Sequence, residues 1–369
     1  MLKTVFKRVG LLLLLALVVF IALIIYRKMP SEAQKLRTQN NALGYVELLG
    51  QAKVSKPNPN VYASSQITPD NPLFKGVLAL QQGRRDIADK ELSALAEAGN
   101  VDAMYWYAET MLGVNVNYSI KAADLFVKAA ELGNPYAALR LTPGTSDCKR
   151  YLGYRCSEEW VEKGEALLKA RAEQGDVKAQ YYANVRSARG SKADYDYNIA
   201  LVTQAANQGY YMPLMEQISW LEEDKSLDDK KKQAIAELLT LAANNNFVPA
   251  MEELFFEYKP EISTEQFEQL RQQAAKLGAR YAFVSYFETY LDPAESGNKQ
   301  AQLDFYRVAL LEKQYKGEIM RVFEFAEGDT FLALTKDEKQ AVQQQVDEFI
   351  SNMTPVIYID ELHTEYGKY

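Results

Sequence analysis

The chain has 369 residues, of which 48% are hydrophobic and 25% are charged, so it is long and apolar enough to bury a large core. Its formal net charge of −7 argues against binding to nucleic-acid phosphates. With one histidine and two cysteines, the chain has little material for histidine catalysis or zinc binding. We therefore expect no enzyme activity, no metal and no cofactor.

The N-terminus holds the most apolar stretch of the chain. Residues 9–26 carry no charge, and at about 1.5 Å per residue a helix of this length would span roughly 27 Å, enough to cross a bilayer core. We predict a short tail and one transmembrane helix over residues 1–28. A cleaved signal peptide is the alternative, because Ser31-Glu32-Ala33 offers small residues for cleavage. The apolar run is longer than a typical signal core, which favours the anchor.

Positive charges flank this stretch on both sides, so they do not decide its orientation. A short N-terminal tail ordinarily stays inside, and this places the body of the protein outside the cytoplasm. Residues 29–72 are predicted to be a linker, since the part before residue 72 is dense in Pro, Asn and Ser. We expect this linker to be solvated.

A turn built from small residues recurs along the rest of the chain at intervals of 32 to 42 residues. A left-handed backbone at a helix C-terminus suits Gly best and Asn next. The interval fits two helices and two connections, the size of a tetratricopeptide-like unit. We predict an all-α solenoid over residues 73–334. Its turn residues are Gly99, Gly133, Gly175, Gly209, Asn246 and Gly278.

One unit is specific enough to suggest a family. A polar run separates its first helix from a second helix predicted at Ile120 to Leu132. Lys121-Ala122 stands before the aromatic positions of this second helix, and Ala129-Ala130 leads into the turn Gly133-Asn134. This pattern resembles the Sel1-like repeat, a relative of the tetratricopeptide repeat. The match is strong over residues 84–140, fair to residue 210 and weak to residue 287. The resemblance implies a right-handed α-solenoid that binds a protein partner.

The resemblance also implies where such a protein works. Membrane-anchored Sel1-like proteins of bacteria include immunity proteins that neutralise secreted effectors, phospholipases among them. We therefore expect a single-pass protein of the bacterial inner membrane, held by residues 9–26, with its repeats in the periplasm and an effector toxin as partner. A scaffold for envelope assembly or signalling is the alternative, and a hydrolase is a third, disfavoured reading.

The third unit contains an insertion with many turn-forming residues after Leu141, and both cysteines lie in it. In an oxidising compartment Cys148 and Cys156 would form a disulfide that closes a loop of nine residues. The alternative is a pair of reduced thiols in a cytosolic loop. The predicted anchor favours the disulfide.

The seventh residue after each turn falls outside the apolar face of the following helix, and we predict that these residues line a concave protein-binding surface. Half-buried packing is the alternative for each of them. Tyr105-Trp106-Tyr107 also invites a stacking-platform interpretation, although aromatic residues are more often core. The predicted binding residues are Trp106, Arg140, Tyr182, Glu216 and Glu253.

Residues 335–369 are predicted to form a capping helix and a tail. Thr335 and Glu338 have the spacing of a capping box, which opens a helix through about Ser351. A short β-like run follows at residues 356–359. We expect the tail to cover the apolar side of the last hairpin, and we expect no chemical role for His363.

Overall fold

The computed structural model describes residues 57–185, 192–222, 228–279, 287–316 and 332–364. Within these ranges the chain is helical and contains no β-strand, so the predicted all-α fold is confirmed. None of the helices in the described ranges is both long and apolar enough to cross a bilayer. Residues 1–28, with the predicted transmembrane helix, and residues 29–56 of the predicted linker lie outside those ranges.

The helices pack chiefly against their neighbours in chain order. Those of the N-terminal half are α1 (Phe74–Gln81), α2 (Arg85–Glu97), α3 (Val101–Met111), α4 (Val116–Glu131), α5 (Pro135–Arg140), α6 (Glu159–Glu173) and α7 (Val177–Val185). Those of the C-terminal half are α8 (Lys192–Asn207), α9 (Met212–Glu222), α10 (Asp229–Asn244), α11 (Val248–Phe256), α12 (Thr264–Lys276), α13 (Phe287–Glu295), α14 (Lys299–Lys316) and α15 (Lys336–Ser351).

The turns between helix pairs follow the predicted rule. All five predicted turn glycines have positive φ, and Asn246, with φ of 64°, is the non-glycine residue in this conformation among the described residues. After three of these turns the next residue caps the following helix, because its side chain accepts a backbone N–H three residues on. These caps are Asn100, Asn134 and Asp176.

Two predicted helix starts can be compared with the structure. The sequence places the start of the second helix of the best-matching unit at Ile120, but α4 begins at Val116 because the Asn115 side chain accepts the Tyr118 N–H. A polar run that was expected to separate the helices therefore supplies a cap. The predicted capping box of Thr335 and Glu338 is confirmed at the start of α15.

The predicted insertion in the third unit interrupts the regular helix pairs. Helix α5 is only six residues long, and a π-helical turn spans Cys148–Leu152 before α6 begins. Cys148 and Cys156 form a disulfide with their Cα atoms 6.0 Å apart. Leu152 is fully buried, so the loop is fastened both covalently and by packing.

Residues 57–72, within the predicted linker, pack against the turn that follows α10. The Asn58 N–H donates to the Asn244 carbonyl oxygen at 2.6 Å, and the Asn246 side-chain amide donates to the carbonyl oxygen of Asn60 at 2.9 Å. At Gly209 a Cβ atom would lie 2.4 Å from the Ala63 carbonyl oxygen, so no larger residue fits there without movement. This part of the chain is not a solvated tether.

The core consists of two clusters of buried apolar side chains. One cluster extends from Ile67 to Ala179, and the other extends from Tyr181 to the C-terminal helices. Ile357 and Ile359 belong to the first cluster, whereas Val356 belongs to the second. The chain after α15 therefore passes from one cluster to the other.

Candidate functional site

The C-terminal segment, residues 353–364, is a non-helical strip of chain that lies across the helices. At its start the Thr354 N–H donates to the Lys276 carbonyl oxygen at 2.9 Å, and the Val356 N–H donates to that of Leu277 at 3.1 Å. This first part lies at the end of α12. The tail was expected to cover the last hairpin, and the structure shows in addition that the segment continues onto helices of the N-terminal half.

One side chain of α1 holds the backbone of the C-terminal segment. The Gln81 amide nitrogen donates to the Val356 carbonyl oxygen at 2.9 Å. Its amide oxygen accepts the N–H groups of Tyr358 at 2.8 Å and of Ile359 at 3.2 Å. Because all three bonds go to backbone groups, Gln81 recognises an extended main chain and not particular side chains.

Two aliphatic side chains fix the register of the segment. Ile357 and Ile359 are 2% and 5% exposed and pack in the N-terminal core cluster. Ser65 precedes α1 in the chain, and its hydroxyl donates to the Ile357 carbonyl oxygen at 2.9 Å. Shifting the segment by one residue in either direction would place Tyr358 in one of these apolar sites, and in one direction Asp360 would enter the other, at a cost in free energy.

A buried ion pair follows the aliphatic residues. Lys178 of α7 and Glu361 of the segment contact each other directly, and both are buried. The Lys178 ammonium group also lies 4.3 Å from the centroid of the Tyr136 ring. Burial opposes the charge of Lys178, but attraction by Glu361 and Asp360 outweighs it and raises the pKa of Lys178. The lysine is therefore charged inside the fold.

The neighbouring Asp360 and His363 form a second charged contact. The His363 Nδ1 lies 2.9 Å from a carboxylate oxygen of Asp360, and its Nε2 lies 2.9 Å from one of Glu216 on α9. The Tyr210 hydroxyl donates to the other Asp360 oxygen at 2.8 Å. The Tyr182 hydroxyl donates to Glu216 at 3.0 Å. The ring is thus held between two carboxylates.

The pKa values of this group follow from its surroundings. Burial opposes the charge on the His363 ring, but the Asp360 and Glu216 carboxylates outweigh it and raise the pKa of His363 to about 9. Burial likewise opposes the charge on Asp360, but His363 and Lys178 hold the pKa of Asp360 well below its usual range. At neutral pH both groups are charged, and they neutralise each other.

Arg140, one of the predicted binding residues, lies at the end of the segment. Two of its nitrogen atoms each lie 2.7 Å from a carboxylate oxygen of Glu109 on α3. A third nitrogen donates to Asp147 of the disulfide loop at 2.6 Å, and one bonds to the Thr364 hydroxyl at 3.2 Å. Arg140 therefore joins α3, the disulfide loop and the C-terminal segment.

The other predicted binding residues lie in three different surroundings. Tyr182 and Glu216 contact His363 of the C-terminal segment. Trp106 is fully buried, which corrects the expectation of an exposed side chain, since α3 has buried residues on both sides. Glu253 lies near Glu222 and Glu257, and burial followed by repulsion from these two raises the pKa of Glu253 to about 7.

The set of side chains that hold the C-terminal segment is here named the tail-contact surface. It is formed by Ser65, Gln81, Tyr105, Arg140, Lys178, Tyr182, Tyr210 and Glu216. Sequence reasoning missed five of these eight residues. Two features of the sequence could have indicated this contact. Lys178 is a cation between the apolar Val177 and Ala179, and the acidic pair Asp360-Glu361 follows the aliphatic residues of the tail.

A cavity of about 600 Å³ opens beside the end of the C-terminal segment, lined among others by Arg140, Tyr151 and His363. Asp360 and Glu216 contact opposite nitrogen atoms of the His363 ring, so these three side chains do not converge on one point. Within the described residues no group of three or more potential metal ligands is found.

The chain was compared with protein-family models and with curated proteins, and it matches none of them. The assignment to Sel1-like repeats therefore stays a proposal that depends on the residues themselves.

Proposed function

We propose that this chain is a protein-binding module of Sel1-like helix pairs, arranged as a solenoid, which recognises an extended segment at the tail-contact surface. The observation that supports this is the C-terminal segment itself. Its non-helical main chain is held there by Gln81, and a turn at residues 360–363 presents its acidic side chains to Lys178 and Tyr210. Such a division between main-chain and side-chain contacts is typical of peptide recognition.

The contacts define the segment that a partner would present. Two buried aliphatic side chains lie at alternating positions, those of Ile357 and Ile359. Two acidic residues follow, Asp360 and Glu361, and each meets a different polar group of the surface. We therefore expect a partner segment with an aliphatic-x-aliphatic-acidic-acidic pattern.

The C-terminal segment would compete with such a partner. A surface that is filled most of the time binds a partner more weakly, in proportion to the small fraction that is open. The partner must offer contacts at least as favourable as those of the tail. The cavity beside Arg140 gives a partner access to the tail's end, where displacement would begin.

Exchange of the tail tests this function directly. A protease site inserted after the exposed Asn352 allows the tail to be cut from the folded full chain. A fluorescent peptide of residues 353–364 should then bind, with an increase in anisotropy. A matched peptide with Asp360→Asn and Glu361→Gln should bind at least about tenfold more weakly, or ~1.4 kcal/mol.

The result that contradicts the proposal is a cut chain that stays folded and never exchanges its tail. A cut chain that unfolds would contradict it as well, because the tail would then be an indispensable part of the core. If the cut chain bound both peptides with equal affinity, the tail-contact surface would still be a peptide-binding site, but it would have no preference for acidic residues.

The setting of this module is also part of the proposal. Residues 9–26 would anchor it in a bacterial inner membrane, with the helices in the periplasm, and its partner would be a secreted effector that it neutralises. A scaffold for envelope assembly or signalling is the other use. Crosslinking and pull-down from the source cells separate the two, since one tight toxin partner supports immunity and several envelope proteins support a scaffold.

A further inference from the structure

The exposed apolar side chains of the described residues are concentrated in one place. Eight large apolar side chains are exposed among the described residues, and six of them lie around the start of α4 and in the disulfide loop. Val116 is the most exposed, at 77%, and Tyr154 follows at 59%. The six are Val114, Val116, Tyr118, Ile120, Tyr151 and Tyr154.

These residues form one continuous surface, although they come from two parts of the chain. The Tyr151 ring lies against Gly113, where a Cβ atom would be 3.4 Å from the ring. Arg155 pairs with Asp124 of α4 at 2.5 Å. Residues 116, 120 and 124 are four apart and share one face of α4, so the disulfide loop extends that face.

The charge of this surface is opposite to that of the whole chain. Residues 113–124 and 148–156 together contain four cationic side chains and one carboxylate, that of Asp124, whereas the whole chain has a net charge of −7. Asp124 is already paired with Arg155. We name this surface the basic apolar patch. Its cations are Lys121, Lys149, Arg150 and Arg155.

Exposed apolar patches of this kind mark contact sites for proteins or membranes, and the charge favours one of the two. We propose that the basic apolar patch docks on the surface of an anionic lipid bilayer. Tyr side chains partition to the membrane interface, aliphatic side chains enter the acyl boundary, and cations are attracted to anionic headgroups. The patch presents all three kinds of side chain at once.

The basic apolar patch borders the tail-contact surface, because Tyr151 of the patch also lines the cavity beside the end of the C-terminal segment. Arg140 lies between the two, since it bonds to both Asp147 of the disulfide loop and Thr364 of the tail. Docking through the exposed side of the loop would leave that ion pair in place. The inference is independent of the proposed peptide recognition, and either could fail without the other.

A local fluorescence probe tests the docking on the full chain. Val116→Cys is labelled with an environment-sensitive dye under non-reducing conditions, which keep the disulfide intact. The chain is reconstituted with vesicles of pure phosphatidylcholine or of phosphatidylcholine with phosphatidylglycerol. We expect the dye emission to shift to shorter wavelength only with the anionic vesicles, and the shift to shrink at high salt.

A matched control lies at the other end of the same helix. Leu132 follows α4 and is 54% exposed, so Leu132→Cys reports whether the shift is specific to the patch. Replacing Lys149 and Arg150 by Gln in the Val116→Cys chain should lower the ratio of docked to free protein about 30-fold, since each cation near an anionic surface contributes about fivefold.

Three outcomes would overturn the proposal. The dye at position 116 shows no shift with anionic vesicles, both dye positions shift equally, or the shift persists without Lys149 and Arg150. A shift at position 116 that requires a co-purifying protein and no lipid would assign the patch to a protein partner, and this also contradicts bilayer docking.

Discussion

Asp360 and Glu253 belong to two different groups of carboxylates, and their pKa values respond to burial in opposite ways. Around the C-terminal segment, Asp360 is buried but meets His363 and Lys178, and these cations hold its pKa below the usual range. At the end of α11, Glu253 meets other carboxylates, and its pKa rises to about 7, through burial first and then through Glu222 and Glu257. The cations beside Asp360 therefore outweigh the cost of its burial, whereas burial prevails at Glu253, which lies near other carboxylates. Burial also prevails at Glu361, whose pKa is raised although Lys178 contacts it.

The largest expected effect comes from removing Lys178, one of the two cations beside the carboxylates of the C-terminal segment. Lys178→Ala leaves Glu361 buried without its partner, and we expect the free energy of unfolding to fall by about 3–5 kcal/mol. Urea denaturation measures it. Lys169→Ala, at an exposed position of α6, is the matched control and should change the free energy of unfolding little. The double variant Lys178→Ala with Glu361→Gln should recover part of the loss, and failure to do so would contradict the pairing.

The next effect depends on pH. The pKa of His363 is about 9 in the folded protein against 6.5 for the free side chain. Its contribution is therefore fully present below pH 6.5 and is lost as the pH rises through 9. The total is on the order of 3 kcal/mol. The groups facing the ring are Asp360, Glu216 and Tyr182.

His363→Gln should remove this dependence. We expect the variant to be less stable than the parent at pH 6 and nearly equal to it at pH 9.5, in thermal or chemical denaturation. An identical fall in stability between pH 6.5 and 9 in both proteins would show that His363 is not the titrating group.

The main-chain contacts of the tail have a smaller effect than its charges. Gln81→Ala removes three hydrogen bonds to the segment, and at about 0.5–1.5 kcal/mol net for each bond we expect a loss of about 2 kcal/mol. Hydrogen exchange should quicken at the amides of Tyr358 and Ile359 more than at His363, whose N–H is held by Asp360. Lys75→Ala, on the exposed side of α1, is the control.

The smallest expected effect concerns Glu253, the carboxylate whose pKa is raised. Glu253 keeps its proton to about pH 7 in the fold but loses it near pH 4.5 when unfolded, so stability falls as the pH rises through this range. Glu253→Gln should raise stability at pH 8 by about 1 kcal/mol, a figure reduced for partial exposure, and leave it unchanged at pH 4. The exposed Glu265→Gln is the control, and an equal gain there would contradict the explanation.

The elements predicted well from sequence are those that a single residue or a short spacing determines. The turn at Asn246 requires a positive φ, which Asn tolerates better than other non-glycine residues, and the structure has φ of 64° there. The capping box of Thr335 and Glu338 needs only a spacing of three residues. Such rules act within one turn of helix, so they need no knowledge of the rest of the chain.

The site was harder to predict because its contacts join distant parts of the chain. Lys178 and Glu361 are separated by 183 residues, and no local pattern specifies that pairing. The prediction for Trp106 assumed that each first helix has one buried face. In α3 the residues on both sides of the helix are buried, among them Tyr105 and Ala108. The assumption of one buried face therefore predicted an exposed Trp106, whereas this side chain is buried.

The hydrogen bond between Ser65 and Ile357 has a consequence for how the protein unfolds. An array in which each helix pair contacts only its neighbours can open piece by piece from either end. Here 292 residues separate two bonded groups, and the same tail inserts side chains into both core clusters. Opening either end would first have to free the tail, so we expect the two halves to unfold in one cooperative transition.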